Sequence, residues 1–192
     1  MPGRRGKMTR INASPCRLCE AELIVERIKK YREQMTDEKL SIGVISFYRS
    51  QVNNISSRLE ACGLDKEVGV GTVDAFQGME FDIIFLSVVR TGINLGGVDL
   101  SYLERDENSF TDENEKTEFL KLKDKVGRAN YGFLTSKNRL CVALSRQKRL
   151  LVVVGDADLF RGEQGARLSK IFVPELKNFY ELCAAKGTIE NV

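Results

Sequence analysis

The chain predicts a three-layer α/β fold, a mostly parallel sheet flanked by helices, and three observations carry that expectation. Stretches with apolar residues at helical spacing alternate with short apolar runs, the signature of βα units. DIIFLSVV, residues 82–89, is apolar with almost no interruption, as in a strand covered on both faces. The β-branched run of Val68, Val70 and Val73, with Gly69 and Gly71 between, stops abruptly at the turn formers of DAFQG.

The elements follow in order. Leu23, Ile24, Ile28 and Tyr31 share one broad face and predict a helix over about Cys19–Met35. An apolar strand is expected over Ser41–Ser46. A helix over Tyr48–Ala61 would turn Val52, Ile55 and Leu59 inward. Strands near Val68–Val73 and Ile83–Val89 come next. Leu140, Ala143 and Leu144 fall at helical spacing from Ser136 to about Gln147, which would set Arg139 and Arg146 roughly 10 Å apart along one helix. Leu150–Val154 reads as a further strand, and Leu176, Phe179, Tyr180 and Cys183 predict a last helix over Pro174–Ala185. Connections between parallel strands in such alternation need crossovers, which is why the helices are expected on the faces of the sheet.

The polar residues worth attention sit at the turns. In open parallel sheets ligands gather at the carboxyl ends of strands, so Thr72, Asp74, Gln77, Gly78 and Glu80 are expected there. Gly78 would let a backbone N–H approach a ligand, while Gln77 and Glu80 offer an amide and a carboxylate. Arg146, Lys148 and Arg149 crowd the expected helix end. There they suit the negative end of the helix dipole whether or not they bind anything.

Taken together, TVDAFQGMEFD (72–82), RLCVALSRQK (139–148) and VVVGD (152–156) resemble motifs V and VI of superfamily-one helicases. The branch they resemble contains the nonsense-mediated-decay helicase and senataxin. IGVISFYRSQV (42–52) is similar to motif IV of the same family, with Ser46 and Phe47 in place of Thr and Pro and with Tyr48 and Gln51 matching. SPCRLCEAELI (14–24) is set against S-x-x-N-x-x-E-A; Ser14, Glu20 and Ala21 match, and Arg17 replaces Asn. In motif VI, Cys141 replaces a common Asn and Gln147 a small residue. The motifs run in the family's order over about residues 14–160.

The resemblance implies the second RecA-like domain of such a helicase, with a flexible lead-in at 1–13, the domain at 14–192 and an insert at about 92–125. It implies Arg146 as the arginine finger that neutralises γ-phosphoryl charge. Glu80 would bond the ribose, Gly78 would approach a phosphate, Gln77 would order the turn, and Arg139 would support Arg146 or pair with Asp74. Ser46 and Thr72 are implied on an opposite face, as hydroxyl donors to the backbone of single-stranded DNA or RNA. ATP is the implied nucleotide. Its Mg2+ ligands and the phosphate loop would come from a first RecA-like domain, expected upstream in the same polypeptide, with Met1 at the edge of an excised domain.

Absences in the sequence fit that division of labour. No G-x-x-x-x-G-K-[ST] run occurs, and GRRGKMT at 3–9 spaces its glycines too closely. Histidine is absent, so no imidazole can act as base or ligand. The chain alone is therefore expected not to hydrolyse ATP efficiently. Thirty basic residues against 27 acidic give a net charge of +3, too small to announce a nucleic-acid protein, so any basic surface must be local. Cys16 and Cys19 form a C-x-x-C without a second pair, and no metal site is expected. No apolar run reaches membrane-spanning length and no signal peptide is evident, so a soluble cytoplasmic protein, nuclear if eukaryotic, is expected. The insert is acidic at first, with Asp99, Glu104, Asp106, Glu107, Asp112, Glu113, Glu115 and Glu118 facing only Arg105 and Lys116. That composition reads as a mobile, solvated loop or as a surface for another domain. A non-catalytic nucleic-acid-binding or protein-interaction module with the same fold stays open beside the motor reading.

Overall fold

A computed structural model describes residues 7–11, 14–34 and 40–191. The described chain falls into two compact units, one built from the residues up to Arg90, Asn138–Asp156 and Glu190 onward, the other from Thr91–Lys137 and Ala157–Ile189. The expected lead-in is described only at residues 7–11, where Thr9–Ile11 (β1) pairs antiparallel with Ser14–Cys16 (β2). The helix expected to reach Met35 is described as Leu18–Gln34 (α1), and Met35 lies outside the described residues.

The first unit is built on a four-stranded sheet in which every neighbour is parallel. Its strands are Ile42–Ser46 (β3), Val68–Thr72 (β4), Phe81–Ser87 (β5) and Gln147–Val154 (β6), in the order β4-β3-β5-β6. Every residue of central β3 is buried, as its uninterrupted apolar run requires. On one face, alternate residues Ile42 and Val44, Ile83 and Phe85, and Val154 pack with Ala21, Ile24, Val25 and Ile28 of α1. Ile55 and Leu59 of the next helix, Arg49–Glu60 (α2), join the same core. Strand period two and helix spacings of three and four thus point at one another, which makes this the RecA-like three-layer class.

The carboxyl ends of the strands are held by a buried polar network. Glu20 Oε2 accepts from Ser87 Oγ at 2.7 Å and from the Val89 N–H at 2.9 Å, and its Oε1 accepts from Arg17 Nη1 at 3.2 Å. Gln51, fully buried, donates from Nε2 to Ser87 Oγ at 2.9 Å and to the Arg17 carbonyl at 3.1 Å. Its Oε1 accepts the Arg17 N–H at 2.9 Å. One carboxylate and one amide therefore join α1, α2 and β5, and Val89 is held at φ +68°, a conformation β-branched residues rarely adopt.

The second unit overturns the expectation of a mobile loop. Leu100–Leu103 (α3) and Glu113–Tyr131 (α4) form inside the insert, followed after the crossing by Gly162–Phe172 (α6) and Pro174–Lys186 (α7). Asp99, Glu104, Asp106 and Asp112 are caps or pairs, while Glu107, Glu113, Glu115 and Glu118 stay exposed. Asp99 accepts from the Ser101 N–H, and Asp112 from those of Asn114 and Glu115, satisfying donors that a helix start leaves open. Glu104 takes both ends of the Arg167 guanidinium, at 2.7 and 2.6 Å. Phe110 and Phe119 lie 4.7 Å apart between ring centroids, with Tyr102 edge-on to both, and Arg105 covers Phe110 at 4.2 Å. This aromatic centre buries Phe119 completely.

Lys137–Ala143 (α5) is shorter than expected. The Ser145 N–H bonds the Val142 carbonyl in a tightened turn and Gln147 already belongs to β6, so Arg146 lies beyond the helix. The 10 Å helical spacing of Arg139 and Arg146 does not apply.

Burial pushes the Glu20 carboxyl up to about 7 from the ordinary 4.5, against the pull of Ser87, Arg17 and the Val89 N–H. A folded value above the unfolded one means that the folded state holds the proton to higher pH. The stability linked to Glu20 is therefore complete below about 4.5 and lost as pH rises through about 7. Wild type should lose on the order of 3 kcal/mol through this group between those limits. Urea midpoints at pH 5 and 8 should fall more steeply for wild type than for Glu20→Gln; parallel pH dependences would refute the assignment.

Candidate functional site

The connection from β4 to β5 sets the geometry. It leaves the carboxyl end of β4 as a 3-10 turn, Val73–Phe76, and must reach the amino end of β5 on the other side of β3. Only eight residues, 73–80, make that crossing. The bare backbone of three glycines makes room for it. A Cβ on Gly43 would stand 2.7 Å from Ile84 Cδ1 and 2.8 Å from Phe76 Cε1, and one on Gly71 would stand 2.9 Å from Phe76 Cε2. Gly69 gives the same room to Phe81, whose ring lies 5.2 Å from that of Phe76.

The crossing sorts the candidate residues to opposite ends of the sheet. Gln77, Gly78 and Glu80 do not stand at carboxyl ends, as the general rule for parallel sheets led us to expect. They form the turn that enters β5 at its amino end, where Phe81 pairs with Gln147 of β6 and its N–H bonds the Arg146 carbonyl at 3.0 Å. Ser46 and Thr72 are partners in register at the carboxyl end, about 16 Å away along five residues of strand.

At the amino end, Gly78 takes φ +82°, which its lack of a side chain permits, and nothing lies within 4 Å of where a Cβ would be. Gln77 and Glu80 are exposed, with no side-chain partner among the described residues. Arg146 reaches this turn: Nη1 donates to the Met79 carbonyl at 3.4 Å and Nη2 to Ser145 Oγ at 2.9 Å. Its Nε is buried and lacks a hydrogen-bond partner among the described residues, as does Oε1 of neighbouring Gln147. A buried donor without an acceptor costs free energy. The Nη groups, held by one long contact and one local hydroxyl, form the guanidinium edge that has capacity for an anion beside the Gly78 turn.

Arg139 is engaged elsewhere. Its Nε and Nη2 donate to the two carboxylate oxygens of Asp74 at 3.0 and 2.8 Å, a fork that ties α5 to the crossover. At the carboxyl end the two hydroxyls differ. Thr72 is half-buried and its hydroxyl has no partner among the described residues. Ser46 is only 1% exposed; it donates to the Ser87 carbonyl at 3.3 Å and accepts the Tyr48 N–H at 3.4 Å, so its hydroxyl is engaged inside the domain. Glu20 and Gln51 matched family motifs in the sequence without an assignable role, and the network above supplies one. Among the described residues, no group of three or more His, Cys, Asp or Glu is arranged to hold a metal ion. None of the described helices is long and apolar enough to cross a membrane.

Comparison with known proteins decides the family, because the model of the AAA domain matches residues 3–158. The chain belongs to the AAA-domain family. Relatives of this AAA domain are named as helicases. The chain is 32% identical over 142 residues to the DNA polymerase alpha-associated DNA helicase A of Saccharomyces cerevisiae, covering 74% of the chain and 16% of that protein. It is 31% identical over 150 residues to the helicase required for RNAi-mediated heterochromatin assembly 1 of Schizosaccharomyces pombe, 77% of the chain and 11% of that protein. With the RNA helicase Mov10l1 of Mus musculus it shares 30% identity over 158 residues, 80% of the chain and 11% of that protein. The AAA domain thus spans less than a sixth of the length of these relatives.

The close seat of the crossover on Gly43 is testable. Gly43→Val should lower stability by about 2 kcal/mol, the cost of overpacking a filled core, as an earlier urea midpoint. An unchanged midpoint would mean that the crossover does not rest on the strand.

Proposed function

We propose that this AAA domain is the second RecA-like motor domain of an ATP-dependent helicase of superfamily one, and that Arg146 is its arginine finger. The observation that carries the reading is the lodging of Arg146. A guanidinium held to the turn by only a long 3.4 Å bond from Nη1 to the Met79 carbonyl sits against a segment whose Gly78 and Glu80 are exposed. Such an edge offers, within a few residues, a cation for γ-phosphoryl oxygens, an N–H for a phosphate and an acceptor for ribose hydroxyls.

In this reading ATP lies between the amino edge of this sheet and a first RecA-like domain upstream in the same polypeptide. That domain supplies the phosphate loop and the residues that hold Mg2+. Mg2+, when bound there, neutralises phosphate charge. Arg146 moves from the Met79 carbonyl to the γ-phosphoryl group, where its charge counts most in the transition state. Gln77 orders the turn. Arg139 acts through Asp74, fixing the crossover that carries Gln77–Glu80, and so is a positioning residue. Thr72, at the other end of the sheet, donates its hydroxyl to the backbone of a single strand. Ser46 supports that edge from inside. Closure on ATP and reopening after hydrolysis then alternate the grip on the strand.

In the complete protein, Arg146→Ala should lower strand-stimulated ATPase roughly 10³- to 10⁵-fold while ATP still binds. ATPase near the wild-type rate would withdraw the finger and leave the non-catalytic binding module as the better reading.

A further inference from the structure

The charge of α4 is segregated along its length. Glu113 and Glu115 in the first turn suit the positive end of the helix dipole, and Arg128 in the last turn suits the negative end. That account stops at the terminal turns. Lys121 and Lys125 lie between them, both exposed and both without an ion pair or hydrogen bond among the described residues. Four residues apart, they share one face and repel each other along the helix. Of the carboxylates within a turn, Asp124 is taken by Arg128 at 2.8 Å, and Glu118, three residues before Lys121, forms no ion pair with it. Lys123 is drawn to the other side, over the Phe119 ring at 5.2 Å. Arg128 extends the face of Lys121 and Lys125 by one turn, giving a stripe about 10 Å long. Just beyond the helix, Phe133 is 50% exposed, the most exposed of the described phenylalanines.

A like-charged pair without an ion-pair partner among the described residues, on a helix followed by an exposed ring, has the character of a surface for a polyanion carrying flat bases. We propose that Lys121, Lys125 and Arg128 bind the phosphodiester backbone of a single-stranded nucleic acid, with Phe133 offering a ring for base stacking. The inference rests on the helicase reading and adds a strand-binding surface on the second unit, separate from Thr72. The acidity that marks the start of the insert does not extend to this surface. Glu113, Glu115 and Glu118 lie in the first half of α4, while from Lys121 onward Asp124 is the one acidic residue among Lys121, Lys123, Lys125 and Arg128.

Fluorescence anisotropy of the 192-residue chain with labelled 20-nucleotide oligo-dT and oligo-U, over a range of salt concentrations, tests it. Removing three phosphate contacts by Lys121→Ala, Lys125→Ala and Arg128→Ala together should flatten the slope of log affinity against log salt by about two. Affinity at low salt should fall roughly tenfold or more. Lys30→Ala, Lys66→Ala and Lys186→Ala, which remove the same charge elsewhere, should leave the slope nearly unchanged. Phe133→Leu should weaken binding without changing the slope. All three stripe positions are exposed, and a glutamine triple serves as a second variant if the alanine triple is poorly folded. An unchanged slope in the stripe variant, an equal loss in the control, or no binding by wild type would each overturn the proposal; an unchanged slope would redirect the stripe to an acidic protein. None of these outcomes touches the Arg146 test, so the two readings fail separately.

Discussion

Burying a carboxylate is costly unless its lone pairs are filled, and in this domain the groups that fill those of Glu20 come from three different places. Arg17 leads into α1, Ser87 ends β5, and the Val89 amide follows it. Gln51 bonds to two of the same three residues from α2. The network satisfies these polar groups together, across three elements. It therefore fixes how α1 and α2 seat on the strands in a way apolar packing alone would not. The left-handed backbone at Val89 is a strain of about 1–3 kcal/mol that this surrounding network holds in place.

The second constraint is the economy of the β4–β5 crossing. A parallel connection ordinarily needs a helix's worth of chain. Here eight residues suffice because glycines on β3 and β4 let Phe76 and Phe81 lie almost on the backbone. The same shortcut carries the Gln77–Glu80 turn to the amino end of β5, next to Arg146. Site and scaffold share one cause: the glycines that look like weak strand residues are what bring the finger and its turn together.

Much of the first unit was legible in the sequence. Its strands are short apolar runs, and its helices α1 and α2 carry apolar residues at spacings of three and four, so period alone separates them. The Asp74–Arg139 pair was also within reach, as two exposed opposite charges in adjoining motifs. Three things were hidden. Both α4 and α6 escaped, the first because charged residues make up nearly half of it and the second because Gly162 and Gly165 break the pattern. The end of the sheet occupied by Gln77–Glu80 could not be read, since a strand–turn–strand sequence does not reveal a crossing over a third strand. Ser46 looked like a free hydroxyl because burial at a strand end depends on neighbours far away in sequence.

The way the polypeptide is divided between the two units has a consequence for how it acquires its structure. The chain leaves the first unit at Arg90, returns at Asn138 and leaves again at Asp156, so neither unit is a continuous stretch. As the polypeptide emerges from the ribosome, β5 must wait for β6 with one edge uncovered while the whole insert is made. The rings of the aromatic centre, Tyr102, Phe110 and Phe119, all lie within the insert and can come together during that interval. A folded insert holds the two ends of a long loop closer than a disordered one would, which lowers the entropic cost of closing β5 against β6. The insert would in that way assist the sheet's completion during synthesis.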